Sequence, residues 1–114
     1  MGRYTDEPQT DGRLNVAIPN LDMEAYIMTV YMVERDLPGI TLEQLGGAQK
    51  SAIETSEKFT SQGKQVRYIR STYIPGESRL MCLFEASSPQ LVDEVNKAAN
   101  IPFTRVVEAM DLTP

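Results

Sequence analysis

Histidine and tryptophan are both absent from this sequence of 114 residues. Without an imidazole, neither a Ser-His nor a Cys-His nucleophilic site can be assembled, and the commonest protein ligand of transition metals is missing. A metal site would have to use Glu, Asp, the single cysteine or backbone oxygen atoms. We therefore predict no metal site and no cofactor.

Cysteine is scarce as well, because Cys82 is the only one. A single cysteine excludes an intramolecular disulfide. Cys82 lies in the apolar segment RLMCLFEA, and a buried free cysteine usually packs as a small hydrophobic residue. We favour this packing role over a nucleophilic role, because no histidine is available to activate the thiol.

Long hydrophobic runs and clustered positive charge are also missing. No apolar run approaches the roughly 18 residues of a transmembrane helix, and the opening residues MGRYTDEPQTDGR contain no apolar segment of a secretory signal. The net charge is −5 and the 11 basic residues are scattered, whereas a nucleic-acid groove needs them clustered. We therefore expect a cytoplasmic protein without a membrane or nucleic-acid partner.

The chain divides into a polar beginning and one folded domain. Residues 1–22 contain two prolines and no sustained hydrophobic period, which predicts a flexible N-terminal tail. Residues 23–114 alternate between strand-like and helix-like patterns, and their number suits a single domain. We expect the tail to contribute little to the core of that domain.

Strand and helix signals alternate in a recognisable order within this domain. Thr41, with Gln44 three residues later, predicts the start of one helix, and Ser88 followed by Pro89 predicts the start of a second. The order β-α-β-β-α-β, with right-handed crossovers, gives a four-stranded antiparallel sheet with two helices on one face, the ferredoxin-like α+β arrangement. The predicted strands cover residues 26–35, 65–74, 79–86 and 104–110.

The first and third strands carry apolar residues on both faces. Two helices cover only one face of the sheet, so the other face would expose an apolar patch of several hundred Å². Pairing of two copies through this face would cover it, and we predict a homodimer. The alternative is that the N-terminal tail covers the same face.

Three consecutive charges end the first strand, in the segment VYMVERDLPGIT. Glu34, Arg35 and Asp36 either form a solvated strand end or reach into a pocket. We favour the solvated end, because charges at strand ends keep sheets from aggregating.

Several short motifs resemble a small bacterial family of unknown function that is labelled nickel-binding-like. The first strand ends in Glu-Arg-x-Leu-Pro-Gly, the third contains Cys82-x-Phe-Glu-Ala, and Ile101-Pro102 stands where the family has a Phe-Pro turn. The resemblance covers about residues 26–112. It implies a ferredoxin-like chain that assembles as a dimeric α+β barrel.

Two departures from the family pattern concern its histidines. Family members usually have Trp-Leu-His-Ser on the second strand, and this chain has Tyr68-Ile69-Arg70-Ser71. They also usually have a histidine in the second helix, where Val95 stands here. Arg70 is a permanent cation and cannot ligate a metal, so the nickel suggested by the resemblance is not carried over.

The candidate binding residues combine one cation with nearby tyrosines and carboxylates. By strand alternation, Arg70 shares a face with Tyr68, and a cation inside an apolar dimer cavity needs a carboxylate or an anionic ligand. Arg70 therefore either anchors a small anionic or polar molecule or, as we favour, pairs with a glutamate and sets the register of the dimer. The candidate ligand-binding residues are Arg70, Glu34, Tyr68, Tyr73, Glu85 and Cys82.

Three functions follow from this reading. The first is a homodimer that binds a small ligand or ion in a cavity at the sheet, without catalysis. The alternative is a cofactor-free monooxygenase, isomerase or cyclase, with Glu34 or Glu85 as base and Arg70 stabilising an oxyanion. This alternative rests on fold analogy and ranks below the first. The third is an assembly module that recruits a partner through residues 1–22.

Overall fold

A computed structural model describes residues 28–114 of the chain. The predicted tail over residues 1–22, and with it the assembly function assigned to that tail, lies outside the described range. Within this range, no helix is long and apolar enough to cross a membrane. The strands are β1 (Thr29–Asp36), β2 (Val66–Ile74), β3 (Arg79–Ala86) and β4 (Arg105–Ala109), and the helices are α1 (Leu42–Ser61) and α2 (Pro89–Ala98).

The four strands form one antiparallel sheet in the order β2-β3-β1-β4. The helix α1 packs mainly on β2, and α2 packs on β3 and β4. Strands β1 and β3 are therefore the central pair, as the right-handed crossovers require. The predicted ferredoxin-like α+β fold is confirmed.

Local capping interactions explain where α1 begins. The Thr41 side chain accepts a hydrogen bond from the Gln44 backbone N–H, and the Gln44 side chain accepts one from the Thr41 N–H. This reciprocal pair satisfies two N–H groups that the helix itself leaves free. After the C-cap residue Gln62, Gly63 has a φ of +89°, a left-handed conformation that glycine adopts without a Cβ clash.

The cap of α2 was also predicted correctly. Ser88 accepts a hydrogen bond from the backbone N–H of Leu91, and Pro89 occupies the first helical position. Both helices therefore start immediately after the capping residues that the sequence predicts, Thr41 and Ser88.

The core lies between the sheet and the two helices. Val33 and Phe84 from the central strands, and Val92 and Val95 from α2, have no measurable exposure. The ring of Tyr68 meets that of Phe84 edge to face, with centroids 5.5 Å apart. On α1 the buried stripe is shorter than the apolar pattern predicts, because Leu42 at the start of the helix is 80% exposed.

A β-bulge in β2 changes which side chains share a face. The register against β3 shifts between Tyr68 and Arg70, so that Ile69 is an extra residue in the ladder. Beyond it, Ser71 and Tyr73 face the helices together with Tyr68, while Arg70 faces the opposite side. The prediction that Arg70 and Tyr68 share a face was therefore wrong, because simple alternation does not survive an inserted residue.

The position of Phe84 generates a stability prediction. Phe84→Ala should lower the free energy of unfolding by about 3–5 kcal/mol, because it removes a fully buried ring and its contact with Tyr68. Urea denaturation followed by circular dichroism measures this change. The control Leu112→Ala alters a side chain that is 84% exposed and should stay within about 0.5 kcal/mol of the wild type. Equal effects of the two substitutions would contradict the described core.

Candidate functional site

A cavity of about 290 Å³ lies between α1 and the sheet. One side is formed by small and apolar residues of α1, and the opposite side by β1, β2 and β3. The chain immediately after α2 closes one end through Ile101. The apolar part of the lining is supplied by Leu42, Leu45, Ala48, Ala52, Leu80 and Ile101.

A chain of polar side chains runs along one side of this cavity. Gln49 of α1 donates a hydrogen bond to the hydroxyl of Tyr68 at 2.9 Å, and that hydroxyl lies 2.6 Å from Ser71 Oγ. The Ser71 hydroxyl in turn contacts the sulfur of Cys82 at 3.0 Å. The bulge at Ile69 makes this possible, because it brings Tyr68 and Ser71 to the same face of β2.

Arg35 supplies the charge of the cavity. It lies on the helix-facing side of β1, in alternation with Tyr31 and Val33, and its side chain is 1% exposed. Its guanidinium donates to the carbonyl oxygen of Pro102 at 3.2 Å and of Ile101 at 3.5 Å. The favoured prediction that Glu34, Arg35 and Asp36 form a solvated strand end was therefore wrong for Arg35.

Asn96 of α2 is the remaining partner of Arg35. Its Oδ1 accepts from the guanidinium, while its Nδ2 donates to the backbone carbonyl of Val92 at 2.8 Å. The Nε of Arg35 is buried and has no hydrogen-bond partner among the residues that the structure describes. Among residues 28–114, no carboxylate forms an ion pair with Arg35, so all of its acceptors are neutral.

The six candidate ligand-binding residues separate into two groups on opposite faces of the sheet. The first group lines the cavity under α1 and consists of Tyr68, Tyr73 and Cys82. The second group faces away from the helices and consists of Glu34, Arg70 and Glu85. The structure does not bring these two groups together.

Each charged residue of the second group already has a partner. Arg70 is 2.8 Å from a carboxylate oxygen of Asp111, so it pairs with neither glutamate that the sequence analysis considered. Glu85 pairs with Arg67 at 3.3 Å. In the register of β1 and β3, Glu85 lies opposite Val30. Val30 is four positions from Glu34 along β1, so the two glutamates do not form a carboxylate pair.

Glu34 joins three strands on the open face. Arg105 of β4 donates two hydrogen bonds to one carboxylate oxygen at 2.6 and 3.0 Å, and Arg79 of β3 donates to the other at 3.1 Å. The hydrogen bond from Arg105 is the main cause that lowers the pKa of Glu34; partial burial opposes it, and the positive charges of Arg105 and Arg79 reinforce it. Glu34 is therefore held in its charged form.

Sequence reasoning missed Arg35, Asn96, Gln49 and Ser71. One signal for Arg35 was available, because it has the same strand parity as Val33, which belongs to the core face. Asn96 follows Val92 by one helical turn in α2, so its helical position also indicated that it lies on the buried face. Nothing local marked Gln49 or Ser71, because their contacts depend on the bulge and on how α1 sits on the sheet.

The side chains of residues 28–114 do not fit a nickel site. No group of three His, Cys, Asp or Glu side chains that could hold a metal ion occurs within residues 28–114. Arg70, which stands at the position of one family histidine, has no lone pair to offer a metal. Nickel therefore has no part in the function proposed below.

The ion cluster around Glu34 predicts a pH-dependent contribution to stability. Because the folded-state pKa of Glu34 lies below its ordinary value of 4.5, its stabilising effect is complete above that value and is lost as pH falls through the folded pKa. Glu34→Gln should therefore lower the melting temperature at pH 7, and the difference from wild type should shrink towards pH 3. Thermal melts across this range measure the difference. The control Glu108→Gln alters an exposed carboxylate that forms no ion pair within residues 28–114, and a similar pH profile for both variants would contradict the prediction.

Comparison with known proteins agrees with this fold. The family model described as nickel responsive protein SCO4226-like matches residues 31–109. The crystal structure of SCO4226 from Streptomyces coelicolor A3(2) aligns with a TM-score of 0.63 and 20% identity, covering 74% of this chain and 99% of that chain. No curated protein matches the sequence. Because the family model matches well over half of the chain, this protein belongs to the SCO4226-like family.

Proposed function

We propose that this protein binds a small organic molecule, without catalysis, in the cavity between α1 and the sheet, and that it acts as a homodimer. The observation that carries the binding function is the cavity itself. It combines apolar walls, a line of neutral polar groups and one buried guanidinium. Few precisely placed polar groups in an otherwise apolar concavity are typical of ligand sites.

The volume of the cavity supports this proposal. The cavity opens to solvent beside Leu42, which is 80% exposed, and it holds about 290 Å³. That volume is near the lower end of the roughly 300–1,000 Å³ of small-molecule sites. A ligand that occupies the cavity of the folded protein would stabilise the fold by mass action.

The enzymatic alternative receives less support. A general base must lie in the substrate site and needs a pKa raised towards neutrality. The two candidate bases, Glu34 and Glu85, lie on the other face of the sheet, and the pKa of Glu34 is lowered. No carboxylate lines the cavity among the residues that the structure describes. We therefore favour binding over catalysis.

The open face of the sheet supports the proposed homodimer. In the strand register, Met32, Leu83 and Val107 lie side by side on the face opposite α1 and α2, and Val30 and Met81 extend the patch. Ion pairs at Glu34, Arg70 and Glu85 surround it. An apolar centre with a charged rim is the usual anatomy of a protein interface, and a second copy would cover it face to face.

The binding function can be tested by filling the cavity. Ala48→Phe should place a ring in the space beside α1 and so abolish ligand binding. Native mass spectrometry of protein purified without added metal should show extra mass on the wild type and none on this variant. Thermal shifts against a metabolite panel supply a second readout, because a ligand at 100 times its Kd stabilises by about 2.7 kcal/mol.

Ala98→Phe provides the matched control for this experiment. Ala98 lies in α2, is exposed and does not line the cavity, so binding should be unchanged. Circular dichroism establishes that both variants are folded. Wild-type protein that shows no adduct and no shift with any compound, or Ala48→Phe that binds as well as wild type, would refute binding in this cavity.

The homodimer can be tested with a charge on the open face. Leu83→Arg should convert a dimer into a monomer, because a partner's apolar sheet would bury an unpaired cation at a cost of several kcal/mol. Size-exclusion chromatography with light scattering measures the mass. Ile53→Arg adds the same charge on an exposed part of α1 and should leave the dimer intact. A monomeric wild type would refute the homodimer without affecting the cavity.

A further inference from the structure

We infer that the ligand of the cavity is an organic monoanion whose carboxylate is held by Arg35. This inference rests on the binding function proposed above and specifies the chemical class of the ligand. It starts from one observation, a guanidinium that is almost completely buried yet lacks a negatively charged partner among residues 28–114.

The charge of Arg35 is the first argument. Its acceptors are the amide oxygen of Asn96 and the backbone carbonyls of Ile101 and Pro102, none of which carries a charge. Removing an ion from water is costly, and neutral dipoles repay only part of that cost. An anion bound beside the buried guanidinium of Arg35 would supply the missing compensation, and the attraction is stronger there than in bulk water.

The unused hydrogen-bonding capacity of Arg35 is the second argument. A guanidinium carries five N–H groups in a planar fork. The buried Nε–H finds no acceptor within residues 28–114, although a buried donor without a partner is rare in folded proteins. Arginine lines the cavity here, and its fork matches the two oxygen atoms of a carboxylate. A carboxylate is therefore the group that best matches the shape and the charge of this guanidinium.

The rest of the lining limits the ligand to one negative charge. Arg35 is the only charged residue among those that form the cavity wall within residues 28–114. The other polar groups, Gln49, Tyr68 and Ser71, are neutral and already bonded to one another. A dianion such as a phosphate monoester would keep one charge uncompensated in an apolar enclosure, so a monoanion is favoured.

The apolar walls define the remainder of the molecule. A volume of 290 Å³ corresponds to about ten water molecules at roughly 30 Å³ each, which suits a compact body of about ten non-hydrogen atoms. Leu45, Ala52 and Leu80 offer that body an apolar surface. A short aromatic or branched carboxylic acid meets the requirements of charge, donor geometry and size together.

Three probes of similar size test the inference on wild-type protein. Phenylacetate carries one negative charge, phenylacetamide is neutral and nearly isosteric, and phenyl phosphate carries up to two charges. Isothermal titration at constant pH and ionic strength should give at least about tenfold tighter binding of phenylacetate than of either analogue, equivalent to 1.4 kcal/mol. Equal binding of phenylacetate and phenylacetamide would overturn the inference and leave the binding function standing. Tighter binding of phenyl phosphate would overturn the monoanion.

Variants identify Arg35 as the source of the preference. Arg35→Met should abolish the preference for phenylacetate over its amide, whereas Arg35→Lys should retain part of it because the charge remains. Arg70→Met is the matched control, since Arg70 lies on the opposite face and pairs with Asp111. Retention of the preference in a folded Arg35→Met variant, or its loss in Arg70→Met, would overturn the assignment.

Two further outcomes are distinguishable. If Arg35→Met does not fold, the comparison of the three probes on wild-type protein decides the inference alone. If no probe binds wild-type protein at millimolar concentrations, the inference fails. The binding function is then judged separately, by the adduct and the cavity-filling variant described above.

Discussion

The burial of the Arg35 guanidinium is the interaction on which the rest of the site depends. The guanidinium of Arg35 on β1 donates hydrogen bonds to the side chain of Asn96 on α2. It also donates to two backbone carbonyls of the segment that leads from α2 to β4. The side chain of Arg35 forms part of the cavity under α1. One residue therefore links the packing of α2, the closure of one cavity end and the charge inside it.

Neighbouring residues of β1 carry two electrostatic arrangements on opposite faces of the sheet. Glu34, facing away from the helices, is neutralised by arginines from β3 and β4 and stays near the surface. Arg35, one residue later, faces the helices and has only neutral acceptors within residues 28–114. Strand alternation alone creates this contrast, because successive side chains point to opposite faces. The charges named on the open face are thus paired, while Arg35 on the helix-covered face has no anionic partner within residues 28–114.

The physical rule used on the sequence was sound, but it was applied to the wrong arginine. A cation among apolar strands needs a carboxylate or an anionic ligand, and this condition describes Arg35 rather than Arg70. The error came from two sources. Three consecutive charges resemble a solvated strand end, and the bulge at Ile69 reverses the face of every later residue in β2. No residue at the bulge carries a local signal of it, since neither glycine nor proline stands there.

The sequence by itself determined the order and ends of the helices and strands, because caps, turns and hydrophobic periods act between residues that are close in the chain. Thr41 and Ser88 lie at the predicted helix starts, and the ferredoxin-like order follows from the crossovers. Only the tertiary structure decided which charges are buried and where the cavity lies. Those features depend on the register between strands and on the seating of α1 and α2, which bring together residues as distant as Arg35 and Asn96.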